Sequence, residues 1–412
     1  MPLPRYCFTS LLLAVAYTAA AQTVGAPLAP WAPGQLDIHH ISTGRGNATF
    51  LILPDGTTAL VDAGALPSDP TPRRATPRPI EPHTAGEWVA RYIRHMLSKE
   101  TSPELDYALL THFHDDHIGY TPSAPLAPNR GYRISGITEV AETIPIRTIL
   151  DRAWPDYRYP EPLTEERVTN YRAFLAWQMR NRGLRVERFQ PGRNDQIVLR
   201  RDARRYPTFE VRNIAANGEV WTGVDAVTRQ HFPRQEDLKK SDLPSENMCS
   251  TALRLSYGKF DYFTAGDMTS VKDDGEPPWR DIERPVAMVV GPVDVYLLNH
   301  HGHYASNSSY FLSMLRPRVS IIPIWSAAQP DRHILRRLLF PFAYPGERDV
   351  FSTAMTDANA AVLADWIGQL KAREGHIVVR VAPGGATYQV LVLDNRTESF
   401  RVLSMHGPYE SR

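Results

Sequence analysis

Between Thr111 and Gly119 the sequence reads Thr-His-Phe-His-Asp-Asp-His-Ile-Gly, which sets His112, His114, Asp115, Asp116 and His117 within six residues. Three imidazoles and two carboxylates cannot enter an apolar interior without partners. Imidazole nitrogen and carboxylate oxygen are good zinc donors, so a metal ion is the partner that suits all of them at once. A solvated polar turn is the plain alternative. H-x-H-x-D-H directly after the apolar run Tyr107-Ala108-Leu109-Leu110 is far more specific than a stray histidine pair. That run reads as a short buried strand, and the cluster as the loop leaving its end.

Two other apolar runs end in residues of the same kind. Thr251–Tyr257 and Lys259–Ala265 read as a hairpin around Gly258 that leads into Gly266-Asp267, and Asp294–Leu298 leads into Asn299-His300-His301-Gly302. A further strand, Thr58–Val61, ends in Asp62-Ala63-Gly64, which fits a site loop or a plain turn. If the strand ends share one sheet edge, His112, His114, Asp116, His117, Asp267 and one of His300 or His301 suffice for two adjacent metal ions, with Asp267 between them.

The elements around these ends follow from periodicity and punctuation. Leu36–Ile41, Thr49–Leu53 and Thr58–Val61 read as strands, with Pro54-Asp55-Gly56 turning between the last two. Thr84-Ala85-Gly86-Glu87 is a capping box opening a helix over Glu87–Ser98. Residues 66–83 and 121–146 read as irregular, and Thr148–Asp151 as a strand. A helix is expected from Glu165 to about Asn181, a short one over Tyr310–Leu315, and an amphipathic one over Ala360–Arg373. Arg318–Ile322 reads as a strand, and the hairpin Gly375–Val381 with Thr387–Leu393 as the close of the chain. Strand and helix alternation points to an α/β sandwich.

The chain has 412 residues, with 42% hydrophobic and 22% charged, the composition of an ordinary globular protein. A formal charge of +1 argues against a general nucleic-acid binder. Residues 1–21 read as an export signal: Arg5, an apolar segment from Phe8 to Ala16, then Ala19-Ala20-Ala21 as the cleavage site. The expected location is therefore the periplasm or outside the cell. Removal of Cys7 would leave Cys249 alone, read as a buried thiol and not a nucleophile. Residues 22–35 read as a linker or surface tail, and 36–412 as one domain with a basic insert at 157–245. From Arg167 to Arg205 that insert carries a run of arginines against Glu187, Asp195 and Asp202, either a solvated face or a surface for an anionic substrate. No stretch after the signal is long and apolar enough to span a membrane.

Together, Leu60-Val61-Asp62-Ala63-Gly64, Thr111–Gly119, Ser250 with its strand, Gly266-Asp267 and His300-His301-Gly302 resemble the metallo-β-lactamase superfamily, most closely its ComEC-type branch. The resemblance implies an αββα sandwich of two mixed sheets flanked by helices, with long inserted loops. It further implies that His112 and His114 bind a first metal, Asp116 and His117 a second, that Asp267 bridges them, and that His300 or His301 completes the set. The expected ions are two Zn2+, with Mn2+ or a single metal as alternatives. Asp116, His300 and His301 are the catalytic candidates: Asp116 to orient a hydroxide made at the metals, and the unbound histidine of the pair to donate to the substrate's oxyanion.

Two departures stand out. Many members carry another histidine before the Gly-Asp, where this chain reads Glu246-Asn247-Met248-Cys249-Ser250. Glu246, Asn247 or water would have to complete the first metal's shell. The branch also commonly has G-Q-G-D where this chain has Gly44-Arg45-Gly46-Asn47. Arg45 and Asn247 are accordingly candidates for substrate contact. The expected activity is that of an exported metal-dependent hydrolase acting on a phosphodiester or other phosphate ester, with an anionic small molecule or polymer as substrate. A lactone or β-lactam ring hydrolase, a nuclease and a non-catalytic binding protein of the same fold are the alternatives; oligomeric state is open.

Overall fold

The computed structural model describes residues 22–67, 71–79, 83–98, 102–120, 122–271 and 275–412. The expected export signal and Cys7 lie outside these residues.

Two mixed sheets stack face to face. The first has nine strands, in the order Val402–Glu410, Thr387–Leu393, His376–Val381, Leu36–His40, Thr49–Ile52, Thr58–Val61, Leu105–Leu110, Ile146–Asp151 and Arg185–Arg188. The second has eight: Asp349–Ser352, Val319–Ile322, Val295–Leu297, Phe260–Thr264, Ala252–Tyr257, Phe209–Ala216, Glu219–Trp221 and Thr228–Gln230. Ile38, Leu51, Leu109 and Val379 of the first sheet meet Leu253, Tyr262, Leu297 and Ile321 of the second in one buried layer. Helices Ala85–Met96, Ile137–Thr143 and Glu166–Arg182 cover the first sheet's outer face, and Glu283–Val290, Ser309–Leu315 and Arg332–Leu339 cover the second's. This is the αββα sandwich that the sequence led us to expect.

The topology decides where the site must lie. Thr58–Val61, Leu105–Leu110 and Ile146–Asp151 are parallel neighbours, as are Phe260–Thr264, Val295–Leu297 and Val319–Ile322. Parallel neighbours need a crossover between them, so their carboxyl ends collect on one side. Asp62, Thr111, Gly266-Asp267 and Asn299 all follow such ends.

Several elements differ from expectation. The 121–146 stretch contains the helix Ile137–Thr143, whose Ile137, Val140 and Ala141 are buried; a face this short shows little periodicity. The helix expected over Ala360–Arg373 is instead two short pieces, Asp357–Val362 and Ala364–Ile367. After Gly368 the chain turns away so that Ala372 can pair with Phe351. The 157–245 stretch contributes Arg185–Arg188 to one sheet and three strands to the other, so it is woven into the sandwich. Val402–Glu410 pairs with Thr387–Leu393 beyond the hairpin expected to close the chain. Residues 22–35 lie against this edge, with Gly25 N donating to Val402 O at 2.8 Å.

Asp62-Ala63-Gly64 runs in contact with the metal-type loop: Ala63 N donates to His117 O at 2.8 Å, and Asn47 N to Asp116 O at 2.8 Å. A Cβ on Gly64 would fall 1.9 Å from the Asp116 carbonyl oxygen. Gly64→Ala must therefore displace one of the two loops. The expected cost is roughly 2–4 kcal/mol, measured by urea unfolding, because neither backbone can move alone.

Candidate metal centre

His112 leaves the strand at Leu110 through Thr111, and Asp115–Ile118 forms one helical turn that His114 precedes. This turn brings Asp116 and His117 back toward the strand end. Two groups result. Asp116, His117, Asp267 and His301 place one ligand atom each within 4.8 Å of one another, as do His112, His114 and Asp267. Asp267 belongs to both.

The donor atoms are aimed by partners outside the groups. His117 Nδ1 donates to Asp62 Oδ2 at 2.8 Å, which turns Nε2 toward Asp267 Oδ1 at 3.0 Å. Asp62 also accepts from Thr111 N at 2.8 Å, Thr111 Oγ1 at 2.9 Å and Asn47 Nδ2 at 3.1 Å. Its backbone sits at φ 61°, a conformation an Asx residue tolerates best among those with a Cβ. Asp62 is thus the carboxylate behind a histidine that fixes its tautomer and orientation. On the other sheet, His301 Nδ1 donates to Pro323 O at 2.7 Å, leaving Nε2 3.1 Å from Asp116 Oδ2.

Bare nitrogens then face each other. His117 Nε2 lies 3.2 Å from His301 Nε2, and His112 Nε2 lies 3.1 Å from His114 Nδ1. Two imidazole lone pairs at that distance repel unless a proton or a metal cation lies among them. The set of four histidines and two carboxylates fits divalent zinc-type ions on this ground.

The charges are consistent with that. Burial works against the ionised form of Asp116, yet His117 and His301 bring it down to about 2. Burial likewise opposes ionisation of Asp267, but His117, His301 and His300 hold it well below the usual carboxylate range. Burial disfavours a proton on His117, and Asp267, Asp116 and Asp62 overcome this and raise it well above an ordinary imidazole. His301 is raised in the same way, by Asp267 and Asp116 against burial. Burial leaves His112 well below its usual value and takes His300 down to about 4. The carboxylates therefore favour positive charge at the His117–His301 half of the centre.

The remaining candidates divide. His300 Nε2 shares a hydrogen bond with Asn247 Nδ2 at 3.2 Å and lies 3.7 Å from Asp267 Oδ2, so both belong to the site. His300 and His301 are left-handed, at φ 49° and 55°, and each such residue costs about 1–2 kcal/mol. Glu246 does not complete the first group. Its carboxylate is spent on the fully buried Arg152, by a bidentate pair, and accepts from Phe113 N at 2.8 Å. Arg45 is buried too, and its Nη1 donates to Gly44 O at 2.7 Å and Ala75 O at 2.6 Å. The guanidinium expected to meet substrate is turned onto backbone carbonyls. Burial pushes the Cys249 thiol up to about 12, which makes it inert as a nucleophile.

Sequence reasoning left Arg152 and Glu283 unremarked. Each is a charged residue in an otherwise ordinary stretch, and its meaning depends on partners far away in the chain. Burial takes the Glu283 carboxyl up to about 7.

A comparison with curated proteins found no match. Among solved structures, the CmlA diiron β-hydroxylase of Streptomyces venezuelae is 12% identical at a TM-score of 0.38; 86% of this chain is covered, and it spans 55% of that chain. Unliganded yeast PDE1 is 12% identical at a TM-score of 0.35, with 83% of this chain and 98% of that one covered. A proposed metal-dependent hydrolase of Parabacteroides distasonis ATCC 8503 is 12% identical at a TM-score of 0.33, with 82% and 92% covered. Residues 42–122, from the Gly44–Asn47 turn through Asp62 to the whole His112–His117 loop, match the family model of the Metallo-beta-lactamase superfamily.

Proposed function

We propose that this chain is a metal-dependent hydrolase of the metallo-β-lactamase superfamily, of its ComEC-type branch, and that it cleaves a phosphodiester or other phosphate ester. The observation that carries the reading is the pair of donor groups sharing Asp267. Bound there, two divalent cations would supply a nucleophile at neutral pH and neutralise charge developing on phosphoryl oxygens. His112 and His114 would hold one ion, and Asp116, His117 and His301 the other. His300, neutral and tied to Asn247 beside Asp267, is placed to exchange a proton with the substrate's oxygen.

A small phosphoester suits the surface better than a nucleic acid. Arg167 pairs with Asp115, Arg193 with Asp195 and Arg201 with Asp106, while Arg172 lies over Tyr157 and Arg182 over Trp177. These five, engaged in this way, add little to the open basic track that phosphate backbones require.

The test is hydrolysis of bis-p-nitrophenyl phosphate, a β-lactam, a lactone and plasmid DNA by chelator-treated protein reloaded with Zn2+ or Mn2+. Turnover of the phosphodiester is expected to return with metal and to fall at least about 100-fold in His114→Ala. Cleavage of the lactam or lactone alone would replace the substrate class. Activity untouched by chelation or by His114→Ala overturns the reading.

Metal removal also has a signature in stability. In the metal-free protein the raised His117 and His301 contribute fully below their ordinary value near pH 6.5, and that contribution is lost as pH rises through their folded values. The depressed Asp116 and Asp267 contribute above the ordinary carboxylate value near pH 4 and lose it as pH falls. Metal-free protein is therefore expected to lose the His117 and His301 contribution as pH rises above about 6.5. Because metal displaces the imidazole protons, the rise in Tm on adding Zn2+ is expected to grow from about pH 6 to about pH 8. Calorimetry across that range checks both.

A further inference from the structure

Glu283 opens the helix Glu283–Val290 on the outer face of the second sheet, and its carboxylate is fully buried. Its oxygens are met by N–H groups, and three of them converge there. Oε1 accepts from Asn299 Nδ2 at 2.9 Å and from Asn307 N at 2.5 Å, and Oε2 accepts from Ser308 N at 2.8 Å. Asn299 precedes His300-His301, while Asn307 and Ser308 close the same loop, so one carboxylate grips both ends of it. The grip continues inward. Asn307 Nδ2 donates to Asn299 O at 2.9 Å, Ser306 Oγ to the same oxygen at 3.1 Å, and Tyr296 OH to Asn307 Oδ1 at 2.6 Å while accepting from Asn299 N at 2.9 Å.

We infer that Glu283 is a positioning residue for the metal centre: it clamps residues 299 and 307–308 so that His300 and His301 keep the left-handed backbone that aims them at Asp267 and Asp116. The inference rests on the reading of His301 as a metal-holding residue. Two adjacent left-handed histidines are a conformation the chain would leave if the loop ends could separate, so something outside the loop has to hold them. An acceptor-only group is what three converging donors require. A glutamine would bring an amide donor against the Asn307 or Ser308 N–H.

The experiment compares wild type, Glu283→Gln and Asp294→Asn as full chains. Asp294 is buried and accepts from Asp261 N at 2.9 Å, just before the strand Val295–Leu297 whose other end leads into the turn. Asp294→Asn therefore changes a buried carboxylate at the start of the same strand without touching the clamp. Zinc affinity is read by competition with a chromophoric chelator, folding by circular dichroism and Tm, and the loop by hydrogen exchange at residues 299–308. Glu283→Gln is expected to stay folded, to lose about 10–100-fold in zinc affinity, and to exchange faster at Asn307 and Ser308, with Asp294→Asn changing neither. Affinity and exchange within about twofold of wild type overturn the clamp, as does an equal loss in Asp294→Asn at matched Tm. A wild type that binds no zinc removes the metal-centre reading, and the exchange comparison then decides the clamp by itself.

Discussion

Asp267 is the carboxylate on which both halves of the centre close, and its place is set by a contact between the two sheets. It follows the strand Phe260–Thr264 of the second sheet through Ala265-Gly266. Gly266 is left-handed at φ 52°, and a Cβ there would come 2.6 Å from Thr111 Oγ1 at the end of a first-sheet strand. Thr251 N donates to Thr111 O at 2.9 Å across the same seam, and His300 N donates to Gly266 O at 3.0 Å. The sheets are stitched together where their functional ends meet. A shift of one sheet against the other would separate Asp267 from His112 and His114 before it disturbed the apolar layer.

Such a centre carries a cost that the sandwich has to absorb. Asp62, Asp116 and Asp267 are all buried, and isolated carboxylates in that setting would be strongly disfavoured. Asp62 is satisfied by two Thr111 groups, Asn47 and His117. Asp116 and Asp267 rely on the imidazoles, which keep their protons for that reason. Carboxylates that raise His117 and His301 give the pocket a negative potential that a divalent cation would also answer. The same electrostatics that make the metal-free state tolerable favour exchange of protons for metal.

The sequence was most readable where chemistry is local. The loop from His112 to His117 declares itself, because so many donors in so few residues have little use except at a metal. The strands around it follow from short apolar runs bounded by turns. Asp62 was visible only as a polar residue at a strand end; that it stands behind His117 depends on parallel pairing of Thr58–Val61 with Leu105–Leu110. Arg45 misled because a glycine turn suggests an exposed arginine, while here residue 75 comes across to bury it. Among the arginines from 167 to 205, the acids that meet Arg167, Arg193 and Arg201 and the rings under Arg172 and Arg182 could not be read from an excess of charge in sequence. Glu283 drew no notice in the sequence, since its partners lie 16 to 25 positions further along the chain.

The segment Glu246–Ser250, where the sequence resemblance led to the expectation of a further metal ligand, does a different job. Glu246 takes the Phe113 N–H, and so braces the backbone between His112 and His114 from outside the donor set. Its charge is balanced by Arg152, which is in turn held by Asn217 Oδ1 at 2.9 Å. The next residue, Asn247, ties His300 in place beside Asp267. Ser250 Oγ accepts from Asp267 N at 3.2 Å. The contacts of this one short segment thus go to aligning the loop, the carboxylate shared by both donor groups and the neutral histidine. The group built on His112 and His114 has fewer protein donors than the group built on Asp116, His117 and His301, and His300 Nε2 stands 3.7 Å from Oδ2 of the Asp267 they share. A neutral imidazole beside a donor set with few protein ligands is what the proposed hydrolytic reading would use.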